Sequence, residues 1–214
     1  MMAMGVIRYF PRRVDVLASL HGAATVAVEA AHLLGDLFAE PETACDIGQQ
    51  LRDLERRGDV FTHEVVIGLN RGERTSIRQA DIRAIESALA DVIESMAEIG
   101  QRAALYRLPA TEPARRLADI LRAQTEIVAA AVPHLPDEVQ HDNLRRSVME
   151  LHWLANEADH ELIHALGSLY DGITEIPPFV QARRWEELYV LLEEATNRAE
   201  KIGHAMLRIM VQQF

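Results

Sequence analysis

Cysteine and lysine are nearly absent from this chain: Cys45 is the one thiol, and Lys201 is the one lysine among 22 basic residues. A single cysteine excludes an intrachain disulfide and a thiolate zinc cage, the pattern expected in a reducing compartment. The near-exclusive use of arginine follows base composition before any mechanism, and favours fork-shaped surface ion pairs. Basic charge is also in deficit, with 22 Lys and Arg against 33 Asp and Glu for a net charge of -11. No basic run is longer than Arg-Arg, so nothing offsets repulsion from a phosphate backbone, and nucleic acid is not an expected partner. The opening MMAMGVIRYFPRR lacks the apolar stretch of a signal peptide, and the uncharged stretches fall well short of the ~20 residues a spanning helix needs. A soluble, cytoplasmic protein is expected. Aromatic residues make up only 5%, so RYFPRR reads less well as a lipid anchor than as an arm packed on the first helix. There is no P-loop, no glycine fingerprint after a strand and no GxSxG, and Cys45 has no evident base.

The chain does have a hydrophobic content of 49% over 214 residues, ample for a buried core. Proline cannot sit inside a helix without losing a hydrogen bond, so its positions mark element ends. Pro11, Pro41, Pro109 with Pro113, Pro133 with Pro136, and Pro177 with Pro178 supply five breaks, and NRGERTS a sixth. In that last break Asn70 and Gly72 tolerate positive φ, and Thr75 or Ser76 is the expected cap of the next helix. Six segments lie between, at about 14–39, 43–69, 76–107, 113–132, 137–170 and 179–213, rich in Ala, Leu, Arg and Glu and without strand-like alternation. The expected class is all-α. In the fifth segment Leu151, Ala155, Ala158, Leu162, Ile163, Leu166, Leu169 and Tyr170 fall within one helical arc, with Asp159 inside it.

The segments repeat as two sets of three. LERRGD at 54–59 returns as LANEAD at 154–159, and each copy is followed by a turn and a long acidic helix. Residues 1–108 and 109–214 therefore read as two three-helix repeats forming one six-helix body about a pseudo-twofold axis.

Glu55 and Asp59 lie one turn apart on one helical face, where like charges repel by roughly 0.2 to 0.5 kcal/mol even when solvated. Two accounts of their neutralisation stay open. Arg52, Arg56 or arginines of a neighbouring helix can pair with them, or facing carboxylates can surround metal ions. Matching acids occur in ALADVIESMAEIG, with Asp91, Glu94 and Glu98, and in LLEEATNRAEKIGHAM, with Glu193, Glu194, Asn197, Glu200 and His204.

An LExxxD helix followed by an acidic helix, then LxNEAD and RWEELYVLLEEATNRAEKIGHAM at 184–206, resembles the PhoU-like proteins, particularly the division of phosphate transport regulators. The resemblance extends over nearly the whole chain. It implies a six-helix pseudo-twofold fold, a non-enzymatic accessory role on the cytoplasmic face of an inorganic phosphate transporter, contact with the membrane only through that transporter, self-association, and iron or zinc bound through ExxxD or DxxxD motifs. Carried over by position, the metal ligands are Glu55, Asp59, Asp91 and Glu94 in the first half, and Asp159, Glu194 and Glu200 in the second. The chain departs from the pattern at Ala90, Ala155 and Asn197. An alanine offers no ligand and an asparagine no charge, which weakens retention of a divalent ion in the second half most of all. His152 and His204 stand where they can partly substitute.

HELIH at 160–164 matches the zinc-peptidase pattern HExxH, with Glu175, Glu186 and Glu187 as third ligands by spacing. No strand is present to form a substrate edge, and the helical wheel turns His160 and His164 toward the flank of the apolar arc, so the stretch reads as outer helix surface. Beside the regulator, two other functions remain: a carboxylate-bridged metalloenzyme, for which ELIH at 161–164 offers the Glu-x-x-His spacing, and a metal-free helical interaction scaffold, to which Ala155 and Asn197 point.

Overall fold

The computed structural model describes residues 14–212. It contains six long helices: α1 (Val16–Ala39), α2 (Ala44–Asn70), α3 (Gln79–Tyr106), α4 (Glu112–Ala131), α5 (His141–Ser168) and α6 (Ile176–Gln212). Short 3-10 turns occupy Pro41–Thr43, Val132–His134 and Glu138–Gln140, and the described residues include no strand. The all-α expectation is met and the six helices begin and end close to the expected breaks. The RYFPRR arm lies outside the described residues.

Three local expectations change for physical reasons. Pro177 and Pro178 fall inside the first turn of α6, where an N–H has no intrahelical partner to lose. The residue capping α3 is Arg78, without a side-chain cap bond, whereas Thr75 Oγ1 donates to the Ile77 carbonyl at 2.6 Å. Ile77 is buried, and its anchoring delays the helix until the Arg78 guanidinium, bonded to buried Asp81 at 3.0 Å, closes the first turn. Gly72 has φ 74° as the turn requires. On α5 the buried arc runs through Leu144, Leu151, Leu154, Ala155, Ala158 and Ala165. Ile163 is outside it and 65% exposed, because the arc centres on the Leu151–Ala158 line that faces α4 and α6 rather than on the Asp159 side.

Helix α1 packs on α2, α3 and α4; α6 packs on α3, α4 and α5; α2 and α5 flank the body. Exchanging α1, α2 and α3 with α4, α5 and α6 leaves this set of principal neighbours unchanged. By length and mean hydropathy, 1.3, α1 is apolar enough to span a membrane, more so than its interrupted uncharged stretches implied. Its place in the body accounts for that composition. Ala23, Ala24, Ala27, Ala30 and Ala31 are each no more than 1% exposed, and these small side chains let three neighbouring helices close around α1.

The α2–α3 approach is close because of glycine. A Cβ on Gly58 would sit 2.9 Å from Ile93 Cδ1, one on Gly48 3.1 Å from the Gly100 carbonyl oxygen, and one on Gly100 2.4 Å from Leu51 Cδ1. The α5–α6 pair repeats the last contact, with Gly203 facing Leu151 Cδ1 at 3.1 Å by the same construction.

Candidate functional site

The close approach at Gly58 forms an open cleft of about 250 Å³ between α2 and α3, lined by Glu55, Gly58, Asp59, Ala90, Ile93 and Glu94. Three of the four first-half acids therefore share one space. Asp91 does not. It lies one residue, about 100° of helix, beyond Ala90, and its side chain is exposed outside the cleft while its carbonyl accepts from Arg198 at 3.4 Å. Ala90 holds the lining position that an acid would need.

Neither of the two arginines expected to neutralise the pair, Arg52 and Arg56, does so. Arg52 donates to Gln49 Oε1 at 2.5 Å, and Arg56 pairs with Asp53. Among the described residues Glu55 and Asp59 make no ion pair. Burial raises the Glu55 carboxyl above its ordinary range, the charges of Asp59 and Glu94 push it further, and Arg56 and Arg52 only partly oppose them. The cleft is thus a concentration of uncompensated negative charge.

The second half has the corresponding positions on α5 and α6, one hundred and one hundred and three residues on: Ala155, Asp159, Glu193 and Asn197. Ala155 is buried. Glu193, 8% exposed, accepts from Asn197 Nδ2 and shares a hydrogen bond with Asp159. Burial first, then the bond to and charge of Asp159, raise the Glu193 carboxyl to about 7, against the opposing effect of the Asn197 amide. Here a proton and an amide offset charge that the first cleft leaves uncompensated. Glu194 repeats the fate of Asp91, one residue past the lining position and exposed. Glu200 stands apart from this pair. Its Oε1 is 2.6 Å from His152 Nδ1 and 3.7 Å from His204 Nε2, so His204 meets the acid one turn before it, whereas His152, whose place on the wheel is near that of Asp159, meets Glu200 instead.

Between the two sites Arg198 Nη1 donates to Ser95 Oγ at 2.5 Å, tying α6 to α3 beside Glu94 and Asn197. Sequence reasoning missed the role of Glu193. Its signal was available: a wheel centred on Leu192, fully buried, puts Glu193 at the edge of the apolar arc and Glu194 on the opposite side.

Carboxylates suit hard divalent cations. Among the described residues, however, no three His, Cys, Asp or Glu side chains lie close enough together to hold one metal ion. As placed, the donors do not make an iron or zinc site. The HExxH residues are likewise dispersed. Glu161 pairs with Arg116 of α4 at 3.4 Å and its side chain is only 17% exposed, not the solvated flank expected; His160 and His164 are exposed. Of the third-ligand candidates, Glu186 bonds Tyr170 and Arg183, and Glu187 bonds Tyr106 and Arg102.

No family model and no curated protein matches the sequence. Solved structures do match. A PhoU-like protein from Shewanella oneidensis MR-1 superposes with a TM-score of 0.79 at 17% identity, covering 92% of this chain and 100% of its own. A PhoU-like phosphate regulatory protein from the same organism gives 0.78 at 16% identity, covering 94% and 100%. At such identities the likeness is one of architecture, carried over the full length of both neighbours. The chain has the fold of the PhoU-like proteins.

Proposed function

We propose that this chain is a non-enzymatic regulator of phosphate transport, acting in the cytoplasm on the inner face of an inorganic phosphate transporter. The observation that carries the reading is the full-length match of fold to a phosphate regulatory protein. It joins with the motif resemblance at 184–206. The protein works through its surfaces, and no step runs through a metal. The same reading holds that the body arose by duplication. The repeated Gly100–Leu51 and Gly203–Leu151 contacts support this: Leu51 and Leu151 stand at the same offset as Asp59 and Asp159, and Gly100 and Gly203 at the same offset as Glu94 and Asn197. Superposing 14–107 on 113–212 is expected to bring Asp59 over Asp159.

The test is co-purification. Tagged chain extracted with membranes from its own cells should retain the integral phosphate permease through a detergent wash. Recovery of the chain free of any phosphate permease, under conditions that keep the permease folded, would contradict the reading.

A second reading is favoured by the uncompensated charge of Glu55, Asp59 and Glu94: the first cleft closes on iron or zinc once its side chains move together. Elemental analysis of protein purified without chelator separates the two. The metal-free account expects well under one ion per chain in the parent, in Asp59→Asn and in Asp159→Asn. A full ion that is lost in Asp59→Asn and kept in Asp159→Asn would establish the second.

A further inference from the structure

Helices α1 and α2 enclose a groove made of two open concavities, about 490 and 480 Å³, that share Leu33 and Gln50. It follows α1 from Glu29 to Glu40, ~16 Å of helix. Its floor is apolar: Leu33 is half-buried, and Ile47 and Leu54 are each 6% exposed. Charge is divided unevenly along it. At one end Arg57 donates to both carboxylate oxygens of Glu29, at 2.8 and 3.2 Å, and Asp53 pairs with Arg56. At the other end Asp36, Glu40 and Asp46 are all exposed, and they make no ion pair among the described residues. The arginines outside the described residues fall short of them. Those are Arg8, Arg12 and Arg13, and the chain from Arg8 to Val14 spans at most ~22 Å when extended, whereas Asp36 stands ~30 Å along α1 from Val16. Residues 213–214 carry no cationic side chain.

We propose that this groove takes a Lys/Arg-rich segment with large apolar side chains on one face, and that the segment is a cytoplasmic loop of the transporter. The choice of source rests on the regulatory reading above. Cytoplasmic loops of integral membrane proteins carry an excess of Lys and Arg, the charge that Asp36, Glu40 and Asp46 lack. An apolar floor with an acidic end suits an amphipathic segment laid along the groove, about ten residues long if helical. Its apolar side chains cover Leu33, Ile47 and Leu54, and its cations lie beside Asp36, Glu40 and Asp46. Arg57 fixes the direction, because a cation placed at that end meets a guanidinium already held to Glu29. A phosphate-bearing ligand is repelled by the same acids that attract the basic segment.

The first measurement titrates the full chain into a fluorescein-labelled helical peptide of about ten residues, with leucine on one face and lysine and arginine on the other. Anisotropy should report micromolar binding by the parent. A groove variant, Asp36→Asn with Glu40→Gln and Asp46→Asn, should bind about tenfold more weakly with an unchanged helical circular dichroism signal. A control variant, Asp142→Asn with Glu150→Gln and Glu157→Gln, removes the same charge from exposed positions on α5 and should stay within about twofold of the parent. Serine in place of each leucine of the peptide should also weaken binding about tenfold. Equal weakening by the two variants would overturn the inference, since bulk charge alone would explain it. So would a parent that fails to bind at ~1 mM, the result expected if residues 1–13 fill the groove. The second measurement is recovery of the permease from membranes with each tagged chain: the parent and the α5 variant should retain it and the groove variant should not. Retention by all three would overturn the groove as the docking site and leave the regulatory reading standing. Absence from all three, with groove-specific peptide binding intact, would contradict the regulatory reading and with it the transporter as occupant.

Discussion

Replacing Glu193 by glutamine is expected to stabilise the protein by about 2 to 3 kcal/mol at pH 8 and to have little effect at pH 4. The sign comes from the direction of the shift. The Glu193 carboxyl is raised from 4.5 to about 7 by burial and by Asp159, so between those values the folded chain holds a proton that the unfolded chain has released. Stability from this residue is therefore greatest below pH 4.5 and falls as pH rises toward 7, above which the loss is complete. The full shift would correspond to somewhat more than 3 kcal/mol; contact of Asp159 with solvent reduces it. Glutamine reproduces the protonated form, accepting from Asn197 and donating to Asp159, and carries no charge to release. Thermal unfolding of the parent and Glu193→Gln at pH 4 and pH 8 measures the difference directly. A separation of roughly 4 to 12 °C should appear at pH 8 for a chain of this size and close at pH 4. Parallel curves at both values would mean that Glu193 is ionised in the folded state.

Gly100→Val is expected to destabilise the fold by about 3 kcal/mol, the upper end of overpacking costs, and to open the first cleft. The first atom of the new side chain would fall 2.4 Å from Leu51 Cδ1. Leu51 is 1% exposed, so it has no route to solvent and α2 and α3 must part. Their separation moves Glu55 and Asp59 away from Glu94. Gly35→Ala serves as the control, since a Cβ there meets nothing within 4 Å; it should stabilise α1 by roughly 0.5 to 1 kcal/mol through reduced unfolded-state freedom. Denaturant midpoints of the two variants should lie on opposite sides of the parent. A Gly100→Val midpoint equal to the parent's would show that Leu51 can repack without moving the helices.

The helices were legible because proline and the NRGERTS turn punctuate them, and a helix boundary is a local matter of missing donors and positive φ. The exceptions were also local: Pro177 and Pro178 mark a helix start from inside it, and a buried Ile77 outweighed the hydroxyls of Thr75 and Ser76. The sites were legible as pairs of facing helices but not to the residue. Ala90 with Asp91 and Glu193 with Glu194 each offer two adjacent positions, and the choice between them is a rotation of about 100° that depends on which arc the neighbouring helices bury. The motif resemblance pointed to the acid of each pair that matched the family spacing, Asp91 and Glu194, and both face solvent. The wheel could not supply the raised Glu193 carboxyl, because that depends on the burial of Glu193, to which the α5–α6 packing contributes.

The proposed function predicts an effect of this chain on phosphate entry into the cell. The direct measurement is the initial rate of radiolabelled phosphate uptake in the source cells, with the chain present, deleted and restored from a plasmid. Deletion should change the rate at least twofold, and restoration should return it to the starting value; an uptake rate identical in all three strains, in both phosphate-rich and phosphate-poor medium, would contradict the account.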